Sequence, residues 1–101
     1  MTALLRLLGL GYRGRNVVIG VDAVRQELQR DAVRCVVIAA DASPRAVDKV
    51  VRLAAGKGVP LVEGPDAETI GVHLGKPPVM AVGVRDRALA DGILQSAPDR
   101  Q

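Results

Sequence analysis

Residues 35–44 read Cys35-Val36-Val37-Ile38-Ala39-Ala40-Asp41-Ala42-Ser43-Pro44, and this stretch decides the fold. Its first six residues are apolar without a break. A half-wetted strand would alternate, so Cys35 to Ala40 predicts a strand covered on both faces. Val37 and Ile38 sit mid-run and are expected in the buried centre. A helix follows at once: Ser43 is a natural N-cap, and Pro44 suits the first helical position. Val47, Val50, Val51, Leu53 and Ala54 then recur at spacings of three and four, and Lys57-Gly58 marks the helix end. Asp41 stands at the C-terminal end of the strand, where ligands of α/β proteins bind. It is expected to serve turn chemistry with Ser43.

The same alternation continues on both sides. Upstream, Ala3 to Leu10 predicts a helix through Leu4, Leu5, Leu7 and Leu8, which Gly9, Gly11 and Gly14 should break. Val17 to Ile19 predicts a strand. Gly20 ends it, and Asp22 helps to open a helix to about Arg30 with Val21, Val24 and Leu28 as its apolar stripe. Downstream, Val59 to Val62 is a strand, Pro65-Asp66 opens a helix to Leu74, Val79 to Val84 is a fourth strand, and Asp86 caps a last helix through Ala90 and Ile93. Strands alternating with helices imply a sheet covered on both faces, an α/β three-layer α-β-α sandwich. One domain is expected over residues 1–95, with a loose tail over 96–101.

Composition narrows the classes. The 101 residues are one domain's worth, 49% are hydrophobic and 25% charged, which gives a core and argues against disorder. Tyr12 is the single aromatic residue, so aliphatic side chains must fill the interior. No charge-free run approaches the ~18 residues of a membrane span. The N-terminus lacks a signal peptide's continuous apolar region. One cysteine forms no internal disulfide, in keeping with a reducing cytoplasm. The net charge of +3 falls wholly within Met1 to Ala40, where Arg6, Arg13, Arg15, Arg25, Arg30 and Arg34 face Asp22, Glu27 and Asp31. Arginine is the preferred side chain for bidentate phosphate contacts.

Several chemistries are set aside on the residues themselves. Gly9-Leu10-Gly11-Tyr12-Arg13-Gly14 spells the dinucleotide fingerprint, but that motif needs a strand before it and a helix after it, and here the order is reversed. Cys35 lies in the most apolar run, where burial makes a thiol inert. One cysteine and one histidine, His73, make no familiar zinc site. Neither catalysis, nor a metal, nor a cofactor, nor a small-molecule substrate is expected. The lack of interleaved aromatics excludes modules that stack bases.

The order of residues resembles a known family. The segments are Leu7-Leu8-Gly9-Leu10, then Val18, Gly20 and Val24, then Val37 to Ser43, then Val59-Pro60, then Ile70-Gly71-Val72-His73-Leu74-Gly75-Lys76 followed by Val79-Met80-Ala81-Val82. Together they resemble bacterial members of the ribosomal protein family typified by L-seven-Ae and L-thirty-e. The resemblance implies a four-stranded mixed sheet and binding to kink-turn or related internal-loop RNA. It places the RNA at the turn from the first strand into the second helix. The family's Gly-Ala-Asn-Glu-x-x-Lys corresponds to Gly20-Val21-Asp22-Ala23-Val24-Arg25-Gln26, which keeps the glycine and replaces the asparagine, glutamate and lysine by Asp22, Ala23 and Gln26. The family's upstream Ala-Gly-Lys falls on Gly14-Arg15-Asn16, and its second contact loop on Val62-Glu63-Gly64-Pro65.

The expected function is therefore a non-catalytic, cytoplasmic, ribosome-associated protein that binds structured RNA. The expected contact residues are Arg13, Arg15, Asn16, Gly20, Val21, Asp22, Arg25, Gln26, Glu63 and Gly64. Arg13, Arg15 and Arg25 would hold phosphates, which positions RNA without reading its sequence. Ribosome-associated proteins are further expected partners. The alternative is a protein-interaction module that keeps the fold without the RNA site; affinity that falls steeply with salt would separate the two.

Overall fold

The structure, a computed structural model, describes residues 2–96. Its elements run α1 (Thr2–Arg13), β1 (Val17–Ile19), α2 (Val21–Gln29), β2 (Cys35–Ile38), α3 (Pro44–Gly56), β3 (Leu61–Glu63), α4 (Ala67–Leu74), β4 (Ala81–Val84) and α5 (Arg87–Ser96). The α/β sandwich expected from the sequence is present. Four strands form one mixed sheet in the order β1-β4-β2-β3. β4 is antiparallel to both neighbours, with Val17 opposite Val84 and Val37 opposite Val82, while β2 and β3 are parallel, with Val37 opposite Val62.

Side-chain alternation assigns the two faces. Cys35 and Val37 join Leu4, Leu8, Ile70, Val82, Val84 and Ile93 in a core under α1, α4 and α5. Val36 points the other way, into a second core with Val24, Leu28, Val50 and Ala54 of α2 and α3. Burying each such side chain contributes about 1.5–3 kcal/mol. The caps are those expected: Ser43 accepts from the Ala46 N–H at 3.1 Å, the Asp66 carboxylate from the Thr69 N–H at 3.2 Å, and the Asp86 carboxylate from the Leu89 N–H at 2.8 Å. The Thr69 hydroxyl and backbone N–H together hold the Asp66 carboxyl below its ordinary pKa.

Four expectations need correction. The first helix does not stop at Leu10 but runs through Gly9 and Gly11 to Arg13. Gly11 serves close packing: a Cβ there would collide with Leu89 and stand 2.9 Å from Val17 Cγ1. Three of the apolar runs are trimmed, β2 ending at Ile38, β3 starting at Leu61 and β4 at Ala81; beyond them the Ala40 N–H donates to the Pro65 carbonyl, the Val59 N–H to that of Ala54 and the Val79 N–H to that of Ala67, outside the strand ladders. Ile38, at the end of β2, is only half-buried, unlike Val36 and Val37. Asp41 does not serve its own turn; its carboxylate accepts from the Ala67 N–H at 2.8 Å and ties the β2–α3 loop to the start of α4. Ser96 closes α5, and the rest of the expected tail lies outside the described residues.

Because β1, β2 and β3 point the same way, the loops sort into two ends. One, here the upper edge, carries Gly20–Asp22, Ala39–Ser43, Glu63–Asp66 and the run into β4, Gly75–Met80. The lower edge carries the α1–β1, α2–β2, α3–β3 and β4–α5 connections.

Two predictions follow from burial. Ile70 is fully buried, so Ile70→Ala should destabilise by roughly 2–5 kcal/mol. Ile38→Ala, at a half-buried site, should cost clearly less; urea unfolding of the two variants giving equal losses would contradict the assigned layers. Cys35 is also fully buried, which pushes its thiol from 9.0 up to about 12, with the Asp91 charge adding to the effect. The folded state therefore keeps the thiol neutral where the unfolded chain ionises it. That contribution to stability is intact below pH 9.0 and is lost as the pH rises from there towards about 12. Native protein should resist thiol alkylation at neutral pH and react fully in denaturant; rapid native labelling would contradict the burial.

Candidate nucleic-acid interface

The upper edge is organised around Gly20. Its backbone stands at φ 102°, ψ 150°, a conformation essentially reserved to glycine, and its N–H donates to the Ala81 carbonyl at 2.9 Å. This turn reverses the chain from β1 into α2. No side chain caps α2, so the free N–H groups of its first turn are left to solvent or ligand. Nothing lies within 4 Å of the place a Gly20 Cβ would occupy. The space in front of the turn is open.

The expected contact residues divide between the two edges. Gly20, Val21 and Asp22 stand together at the upper edge, and Arg25 and Gln26 line a groove with Asp22 along α2. Arg13, Arg15 and Asn16 precede β1 and belong to the lower edge. The three residues of β1 separate Asn16 from Gly20, four extended steps or about 13 Å. Asn16 is held there by its carbonyl, which accepts from the Arg85 N–H at 2.8 Å. Glu63 and Gly64 share the upper edge with Gly20 but lie three strands away, about 14 Å across the sheet. Glu63 is exposed; Gly64 is buried, and a Cβ there would come within 2.9 Å of Val37 Cγ1, so Gly64 serves packing.

The segment next to Gly20 is instead the approach to β4, because β4 lies beside β1. The sequence reading missed Lys76, Pro77, Pro78 and Met80 in this role. Strand order is what places them, and no local motif records it. The segment folds tightly over α4: the Lys76 N–H donates to the Gly71 carbonyl at 2.8 Å, and a Cβ on Gly71 would collide with the Pro77 carbonyl. Lys76 Nζ rests 5.5 Å from the centre of the Tyr12 ring, a cation–π contact that draws its charge towards the end of α1 rather than towards Gly20.

The charge of Asp22 has a partner. Lys49 Nζ lies 3.5 Å from Asp22 Oδ1, and the two line a shallow groove with Val21, Ser43 and Arg45 between α2 and α3. The Asp22 side chain is 91% exposed, so this pair contributes little to stability. The upper edge as a whole is not basic: Asp22, Asp41, Glu63, Asp66 and Glu68 face Arg45, Lys49 and Lys76. His73 is exposed on α4, its ring nitrogen 3.1 Å from the Thr69 carbonyl. Cys35 lies in the core, away from it. Among the described residues no group of three His, Cys, Asp or Glu side chains could hold a metal ion, and no helix is long and apolar enough to cross a membrane.

The sequence model of the ribosomal protein L7Ae/L30e/S12e/Gadd45 family matches residues 2–91. The chain belongs to that family. The RNA-binding protein YlxQ of Bacillus subtilis (strain 168) is 31% identical to it over 88 residues, 87% of this chain and 88% of the relative. The L7Ae-type fold is shared with a Bacillus halodurans C protein of unknown function, at a TM-score of 0.86 and 24% identity over 91% of this chain and 93% of the other. It is shared also with the Giardia lamblia 15.5kD RNA binding protein, at a TM-score of 0.80 and 24% identity over 93% of this chain and 81% of that one.

In this L7Ae-family chain, Gly20 is required first by backbone geometry. Gly20→Ala should cost roughly 1–3 kcal/mol although its new methyl meets nothing. Thermal unfolding without any ligand would check this, and an unchanged transition would mean that the turn relaxes freely.

Proposed function

We propose that this chain is a non-catalytic RNA-binding protein that acts with the ribosome or its assembly in the cytoplasm. In this reading it holds structured RNA, a kink-turn or a related internal loop, against the upper edge at Gly20. The observation that carries the reading is the open, uncapped start of α2 behind a glycine-only turn. Such a helix start offers backbone N–H groups and a positive dipole end to an anion, and the absent side chain lets a nucleic-acid backbone come close. Membership of a family with an RNA-binding relative covering most of the chain supports it.

Within this reading Gly20 and Val21 present the backbone, and Arg25 and Gln26 face the same groove from α2. Glu63 and Gly64 border the surface three strands away. Asp22 occupies the position of a neutral asparagine in the family pattern. A carboxylate there repels phosphates, while Lys49 offsets part of its charge. Binding should therefore be moderate, with limited preference for sequence.

The test is Asp22→Asn. It removes one negative charge and an exposed ion pair, so the fold should keep its stability within about 0.5 kcal/mol. Titration against a kink-turn hairpin should show tighter binding by several-fold, with less gain on a plain RNA duplex. A parallel variant, Arg25→Ala, should weaken binding to both. Unchanged affinity in both variants would remove RNA from this edge.

A further inference from the structure

The lower edge has a different electrostatic character. Seven basic residues, Arg13, Arg15, Arg30, Arg34, Lys57, Arg85 and Arg87, meet three carboxylates there, Glu27, Asp31 and Asp86. Over the rest of the sequence seven bases face eight acids. The positive excess thus gathers at the end of the sheet opposite Gly20. Asp91 follows one turn along α5.

The three carboxylates are already engaged. Glu27, only 14% exposed, takes Arg85 Nε at 3.3 Å on one oxygen and lies 3.6 Å from Arg30 Nη1 on the other. Asp31 pairs with Lys57 at 2.8 Å, and Asp86 caps α5. Arg85 also donates to the Arg15 carbonyl at 3.4 Å. Arg15, Arg34 and Arg87 are exposed and have no carboxylate within ion-pair distance among the described residues.

These arginines sit at the ends of adjacent strands. Arg15 leads towards β1, Arg85 and Arg87 leave β4, and the Arg34 N–H donates to the Val84 carbonyl beside β2. Two strand spacings, about 10 Å, cover them. That is close to a Debye length, so their fields add. None of the exposed large apolar side chains, Leu10, Val47, Val72 and Leu94, belongs to these loops. A protein partner would want an apolar or aromatic anchor, and these loops offer none. Guanidinium forks without such an anchor suit phosphate oxygens.

We propose that the lower edge is a second RNA surface, on which Arg15, Arg34 and Arg87 contact backbone phosphates while Glu27 holds Arg30 and Arg85 in place beside them. It rests on the RNA-binding reading and adds to it a contact with a second segment of the same RNA, beyond the one at Gly20. The lower edge supplies salt-dependent affinity, and the upper edge supplies the choice of RNA structure.

The experiment uses the whole chain carrying Arg15→Asn, Arg34→Gln and Arg87→Gln. Asparagine tolerates the positive φ of 61° at position 15, and circular dichroism confirms the fold. Binding is measured over a salt series to a kink-turn hairpin and to a plain RNA duplex. The expected result is a log-affinity against log-salt slope flatter by about one unit per arginine on both RNAs, with their affinity ratio unchanged. An unchanged slope in this variant, while Asp22→Asn still alters hairpin affinity, would overturn the second surface and leave the first standing. If the parent binds neither RNA, both readings fall. If polyglutamate competes with RNA for the parent as well as RNA itself does, the lower edge belongs to an acidic protein and the proposal is overturned.

Discussion

The structure depends on β4 lying between β1 and β2. It is the last strand in the chain and the one that joins the sheet: β1 pairs with nothing else, and β2 has only β3 on its other side. Val82 and Val84 face one core, while Ala81 and Gly83 leave room on the other. A Cβ on Gly83 would stand 3.1 Å from Val18 Cγ2 and 3.5 Å from Val24 Cγ2, so the small residue lets α2 settle close to the centre of the sheet. The chain must be nearly complete before this pairing forms, and long-range pairing of this kind is slow relative to helix formation. The upper edge inherits the arrangement, since the Gly20 turn is fastened to Ala81 and faces the segment that feeds β4.

Much of this was legible along the chain. Periodicity marked which side chains are buried, and Ser43, Asp66 and Asp86 announced helix starts that the hydrogen bonds reproduce. What periodicity cannot carry is which strands become neighbours. Arg13 and Arg15 are close to Gly20 in sequence, yet a three-residue strand puts them at the other end of the sheet. Glu63 and Lys76 gave no local sign of their distance from Gly20, because that distance is set by strand order. Gly11 of α1 misled for a related reason: Leu89, 78 positions downstream, is the residue that needs the space.

Charge and backbone geometry are separated in this molecule. The backbone features that suit a shaped ligand collect at the edge where carboxylates are numerous, and the arginine excess collects at the other. Under the proposed reading, attraction and discrimination would fall to different loops. Arginines placed by strand ends and by a mostly buried glutamate lose less freedom on binding than arginines on a mobile tail. The layers between the two ends carry no buried charge among the described residues, so the cores serve to fix distance and orientation.

The outer strands β1 and β3 each have only three residues. A row of unpaired backbone groups that short offers little for another chain to pair with, and Pro60 before β3 and Glu63 at its end blunt that side further. A sheet whose long, apolar strands are all internal can hold an almost wholly aliphatic interior without recruiting a second sheet. Such a domain has little tendency to join edge to edge into fibres even at high concentration.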